Sequence, residues 1–109
     1  MEFTSLERPD QLETIQNGKG YHVIFKHNTT CPISKGVKAG LEAELTALKG
    51  AQAIYYLDLL AHRDISNAIA EQYGIAHQSP QVLLIHGGEC VYTQWGYDIR
   101  AAEIAEKMI

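Results

Sequence analysis

Three short runs constrain this chain most: YHVIFKH (Tyr21–His27), AIYYLDLL (Ala53–Leu60) and QVLLIH (Gln81–His86). Each has the length of one strand and is rich in β-branched, aromatic or leucine side chains; in the first, Val23 and Phe25 alternate against Ile24, as in a buried strand. The segments between them have a helical period. From Pro32 to about Lys49, Ile33, Val37, Leu41, Leu45 and Leu48 recur every three or four positions, and HRDISNAIAEQYG places Ile65, Ile69 and Tyr73 on one face with Gly74 as a stop. RPDQLETIQNGKG opens on Pro9 and closes on Gly18 and Gly20, as a short helix does. QVLLIH and CVYTQW flank GGE, and paired glycines supply the positive φ of a tight hairpin turn. The tail DIRAAEIAEKMI returns to helical spacing. A chain with this alternation is α/β.

The expected order is α-β-α-β-α-β-β-α, βαβ units ahead of a hairpin and a closing helix. It fits a thioredoxin-like three-layer α/β sandwich: a central mixed four-stranded sheet flanked by helices. At 109 residues, 46% hydrophobic, the chain suits one domain, residues 1–109, that buries its core without disulfides or a metal. A net charge of -4 gives no electrostatic reason to bind nucleic acid or an anionic membrane. The start MEFTSLERPDQLE lacks the basic region and apolar core of a secretory signal, and no run approaches the roughly 20 apolar residues of a membrane span. The expectation is a cytoplasmic protein.

The stretch KHNTTCPISKG carries the chemistry. Cys31 stands where the first strand hands over to the long helix, with Pro32 in the first helical position, where its missing N–H costs nothing. The positive end of a helix dipole favours an anion, and a thiolate is the anion on offer. From Thr14 to Leu41 there is no Asp or Glu, while Lys19, Lys26, Lys35 and Lys38 fall inside that window. Ser34 lies one turn on, placed to donate a hydrogen bond to the sulfur, but it cannot form a disulfide. Cys-Pro-Ile-Ser must therefore wait for an outside thiol, which is monothiol chemistry.

Other readings stand beside this one. A free cysteine can be an inert packed residue, and that is the preferred reading of Cys90 in the hairpin. His27 either tunes Cys31 or is the polar end of a strand. Lys35 and Lys38 either attract an acidic small thiol or are solvated helix lysines. The five histidines are scattered without zinc-site spacing, so no metal is expected. Gly36 and Gly40 are expected to pack closely against the sheet. Pro80 after Ser79 suits the first residue of a strand; a cis bond there would turn the backbone so that groups near Ser79 could pair with an extended substrate.

FKHNTTCPIS and the later AHQSPQVLLI, with YYLDLL, RDISNAIAEQYGI and the QW before the last helix, resemble the YtxJ-type monothiol bacilliredoxin family over nearly the whole chain. The resemblance implies a thioredoxin-like fold, Cys31 as redox nucleophile, Thr30, Pro32 and Ser34 shaping its site, and Pro80, after Ser79, as a cis-proline facing it. It implies no bound cofactor, bacillithiol or a similar small thiol as co-substrate, S-thiolated cytosolic proteins as substrates and a separate reductase. One departure is Gln94 before Trp95, where relatives commonly have histidine. Two other functions remain open: an iron–sulfur carrier and a non-catalytic binding or redox-sensing module.

Overall fold

The computed structural model describes residues 2–108; Met1, at the head of the stretch read for a leader, and Ile109, the last residue of the expected terminal helix, lie outside them. In chain order the elements are β1 (Phe3–Ser5), α1 (Pro9–Asn17), β2 (Tyr21–His27), α2 (Pro32–Ala43), a 3-10 turn (Leu45–Leu48), β3 (Ala51–Asp58), α3 (Arg63–Tyr73), β4 (Gln81–His86), β5 (Glu89–Trp95), a second 3-10 turn (Gly96–Asp98) and α4 (Ala101–Glu106). The sheet is mixed, in the order β1-β3-β2-β4-β5. It has five strands rather than the expected four. The extra strand, β1, runs parallel along the edge of β3, with Phe3 beside Ile54 and its ring stacked on Phe25 at 6.0 Å. Three residues are too few for an alternation to declare itself in sequence.

β2 is parallel to β3 and antiparallel to β4, so it lies in the middle and is buried on both faces. Val23 and Phe25 point to one side with Val82 and Leu84, where α2 and α4 cover them through Leu41 and Ile104. Ile24 points to the other with Leu57, Leu83 and Ile85, under Ile15 of α1 and Ile69 of α3. Each such side chain contributes roughly 1.5–3 kcal/mol by leaving water, and helices on both faces of one sheet give the three layers. Gly87 (φ 61°) and Gly88 (φ 77°) form the two-residue turn of the β4–β5 hairpin.

Two boundaries differ from the sequence expectation. α2 stops at Ala43 because Glu44 (φ -117°, ψ 16°) leaves helical space, and the 3-10 turn that follows returns Leu48 to the core. β3 ends at Asp58 because its carboxylate accepts the N–H groups of Leu60 and Ala61 at 3.2 and 3.3 Å, turning the chain toward α3. Among the described residues no helix is long and apolar enough to cross a membrane.

Candidate active site

Between β2 and α2 the chain makes a tight turn. The Cys31 N–H donates to the Asn28 carbonyl at 3.1 Å, and the Asn28 side-chain oxygen accepts the N–H of Thr30 at 2.9 Å and its hydroxyl at 2.8 Å. Thr30 thus braces this turn. Cys31 becomes the N-cap of α2 and Pro32 its first residue. The Cys31 carbonyl accepts from Lys35 N–H at 3.0 Å, while its half-buried side chain makes no capping bond. The sulfur is therefore left at the positive end of a twelve-residue helix.

Ser34 is fully buried and turns away from the role expected of it. Its hydroxyl lies 2.7 Å from Nδ1 of His27 and accepts the Asn28 N–H at 3.0 Å. β2 places His27 on the face that carries Val23 and Phe25, beneath the first turn of α2, so the hydroxyl finds the ring. His27 is 3% exposed and bonded to Ser34, so it is a hydrogen-bonded strand end and not a solvated one. Burial, then Lys38 and Lys35, push its pKa down against an opposing pull from Asp58 and Ser34. A neutral ring can accept the Ser34 proton at Nδ1.

The basic surroundings of Cys31 are narrower than the lysine count implies. Lys35 and Lys38 border an open cleft of about 360 Å³ with His27 and Thr29, but Lys38 pairs with Glu42 and lies 5.4 Å from the Tyr56 ring centre. Lys19 precedes β2 at its far end, and Lys26 is buried on the opposite face of the sheet.

The loop before β4 faces the first turn of α2 across a shared cavity. The Ser79–Pro80 bond is cis, the Pro80 carbonyl accepts Gly96 N–H at 2.9 Å, and the buried Ser79 Oγ has no hydrogen-bond partner. Ile33, Ser79, Pro80, Trp95 and Tyr97 border one cavity of about 380 Å³, joining the first turn of α2 to this loop. Trp95 and Tyr97 are 56% and 69% exposed. Gly36 and Gly40 do not pack on the sheet as expected: both are exposed, and an added Cβ would meet nothing within 4 Å. They floor an open groove between α2 and the Tyr97–Ile99 segment. Gln94 holds that segment, accepting Arg100 N–H at 3.1 Å and donating to Glu103 at 2.9 Å.

Cys90 is at the wrong end of the sheet to serve Cys31. It pairs with Ile85, which pairs with His22, five residues and about 16 Å of strand before His27. A disulfide needs Cα atoms about 4.4–6.8 Å apart. The Cys90 thiol donates to the Tyr92 carbonyl at 3.4 Å, and burial pushes its pKa up. Among the described residues no group of three or more His, Cys, Asp or Glu side chains could hold a metal ion.

A family model described as monothiol bacilliredoxin BrxC matches residues 4–104. The chain belongs to that family. It is also similar to a solved structure described as a candidate oxidoreductase with a thioredoxin fold, at 32% identity and a TM-score of 0.81 over 94% of this chain and 89% of that one. Thioredoxins of Malassezia sympodialis (18% identity, TM-score 0.81, 99% and 92% covered) and Trypanosoma brucei brucei (12%, 0.78, 97% and 87%) share its fold. Family and fold together support a thiol redox function for this chain.

Sequence reasoning gave Asn28 no role beyond the polar NTT lead-in, yet its side chain builds the turn before Cys31. The sequence signal for it is a polar residue at the edge of an apolar run, which also describes ordinary strand ends.

Proposed function

We propose that this protein, of the YtxJ type, works in the cytoplasm removing bacillithiol or a similar small thiol from protein mixed disulfides, with Cys31 as nucleophile. The observation that carries the reading is the setting of Cys31: an uncapped thiol at a helix N-terminus, followed at i+3 by a serine already bonded to His27, with Cys90 on the far side of the sheet.

In the first step the Cys31 thiolate attacks the small-thiol sulfur of the mixed disulfide. A new S–S bond joins Cys31 to the small thiol, the old one breaks, and the protein cysteine leaves as a thiolate that takes up a proton from water. Ser34 offers no sulfur, so the second step needs an external thiol: a second small-thiol molecule or a reductase attacks the adduct and returns Cys31 to its thiolate. Thr30 and Pro32 hold the sulfur at the helix start, Ser34 ties α2 to β2 through His27, and Ser79 and Pro80 form the wall against which a donor segment lies. No bound cofactor enters either step.

Intact-protein mass after incubation with bacillithiol-modified and glutathione-modified test proteins tests this. The expected result is one small-thiol adduct on wild type and on Cys90→Ala, and none on Cys31→Ser. Absence of any adduct from either donor, with Cys31 open to alkylation, overturns the exchange reading.

A further inference from the structure

Lys26 is a lysine that the site does not absorb. It is fully buried on the α3 side of β2, where its ammonium donates to the Ser66 carbonyl at 3.1 Å and lies 3.3 Å from Nδ1 of His77. Ser66 Oγ meets the same His77 nitrogen at 3.3 Å. Across the ladder the Cα partner of Lys26 is Gln81, whose side chain accepts Gln78 N–H at 3.2 Å and donates to the Ala76 carbonyl at 3.2 Å. Two neighbouring side chains on one sheet face thus grip residues 76, 77 and 78 in turn, and the next two residues are Ser79 and Pro80.

We propose that Lys26 is a positioning residue for thiol exchange: anchored on α3, its ammonium fixes exposed His77 and with it the Ser79–Pro80 wall of the cavity that Ile33, two residues after Cys31, also lines. The inference rests on the exchange reading above. A buried ammonium whose partners are a carbonyl and a neutral ring costs stability, and an apolar side chain of the same length costs less. Burial pushes the Lys26 pKa down to about 8, so stability alone gives no reason for a cation here. What the cation supplies is a directed donor to a loop that otherwise leaves the sheet. Its ladder neighbours Leu57 and Gln81 are uncharged, and no carboxylate forms an ion pair with Lys26 or His77 among the described residues. Arg63 of α3 is the other charge acting on His77, and burial, Lys26 and Arg63 together push the His77 pKa down. Protonating His77 removes the acceptor and sets two cations against each other, so the grip holds at neutral pH and fails in acid.

The test is steady-state transfer from a small-thiol-modified protein donor, beside the rate of Cys31 alkylation by iodoacetamide, for wild type, Lys26→Met, His77→Ala and His77→Gln. Lys26→Met and His77→Ala are expected to raise KM for the protein donor about tenfold, equivalent to about 1.4 kcal/mol, with alkylation within about twofold of wild type. His77→Gln, which keeps an acceptor, is expected to recover most of the loss and to flatten the rise in KM expected of the wild type in acid. Because His77 is on the surface, its variants stay interpretable if Lys26→Met does not fold. Wild-type KM in folded His77→Ala, or an alkylation loss as large as the transfer loss, overturns the positioning role. Failure of the wild type to transfer, with Cys31 alkylatable, overturns the exchange reading and this role with it.

Discussion

The two ends of the sheet are built from different materials. At the end where β2 leaves for α2, Lys26, His27, Ser34, Ser66, Gln81 and Gln94 are all buried polar groups. At the other end, beside the Gly87–Gly88 turn, His22 is the one buried polar residue among those described, and Cys90 packs against the cluster of Ile85 and Ile24. Each end carries a half-buried free cysteine, so exposure does not separate them. The surrounding groups do: Cys31 caps a helix, whereas Cys90 sits within a strand and gives its proton to a neighbouring carbonyl. Interior polarity is costly, and here it is concentrated where the chain must hold two loops against each other.

The sharpest way to break this contrast is to exchange the fates of the two thiols. Cys31→Ser is expected to abolish small-thiol transfer, a loss above about 1,000-fold, while Cys90→Ala leaves the rate within about twofold; mass-resolved kinetics read both, and a large loss in Cys90→Ala removes the distinction. Alkylation tests it on unmodified protein. Burial raises the pKa of the Cys90 thiol, so less of it is thiolate than in an ordinary cysteine. Iodoacetamide should label Cys31 first, and the Cys90 rate should still be climbing at alkaline pH.

Stability measurements sharpen the contrast from the polar end. Lys26→Met is expected to raise unfolding free energy by about 1–3 kcal/mol at pH 7 in chemical denaturation, by removing a buried charge. In the wild type the folded-state Lys26 pKa of about 8 lies below the unfolded 10.5, so the unfolded chain holds more protons between them. The Lys26 contribution to wild-type stability should therefore climb from pH 8 to 10.5 and be lost as pH falls back to 8; the difference between wild type and Lys26→Met isolates it from Cys90, Tyr56 and Tyr73, whose raised pKa values act in the opposite sense. A methionine variant less stable than wild type at pH 7 would mean that the hydrogen bonds to Ser66 and His77 outweigh the desolvation. Ser34→Ala strands the Asn28 N–H and the His27 ring, for about 1–2 kcal/mol of destabilisation. Smallest, the lowered histidines His22, His27 and His77 contribute stability present above pH 6.5 and lost below it, read as a falling Tm between pH 6.5 and 5.

Most elements were legible because their signals are local. Pro9 and Pro32 open helices, Gly74 closes one with φ 64°, and the double glycine turns the hairpin at the expected place. β1 was not legible, since an edge strand of three residues takes its identity from the neighbour it pairs with. Ser34 was read correctly as unable to bridge but wrongly as the partner of the sulfur. Its partner is fixed by the face on which His27 leaves β2, a matter of how strand and helix pack. The glycines of α2 were misplaced for the same reason: spacing reveals one helical face, not what lies opposite.

The sequence by itself determined the alternating α/β order, the helix-capping cysteine, the monothiol limit and the polar stretch around it, because period, caps and bond-forming capacity belong to neighbouring residues. Only the tertiary structure decided that Cys90 stands five ladder positions from the site end, that Ser34 serves His27, and that Lys26 reaches under His77 from the far face of the sheet. Those facts depend on register and layer packing, which bring together side chains as much as 51 residues apart and leave no trace in local spacing.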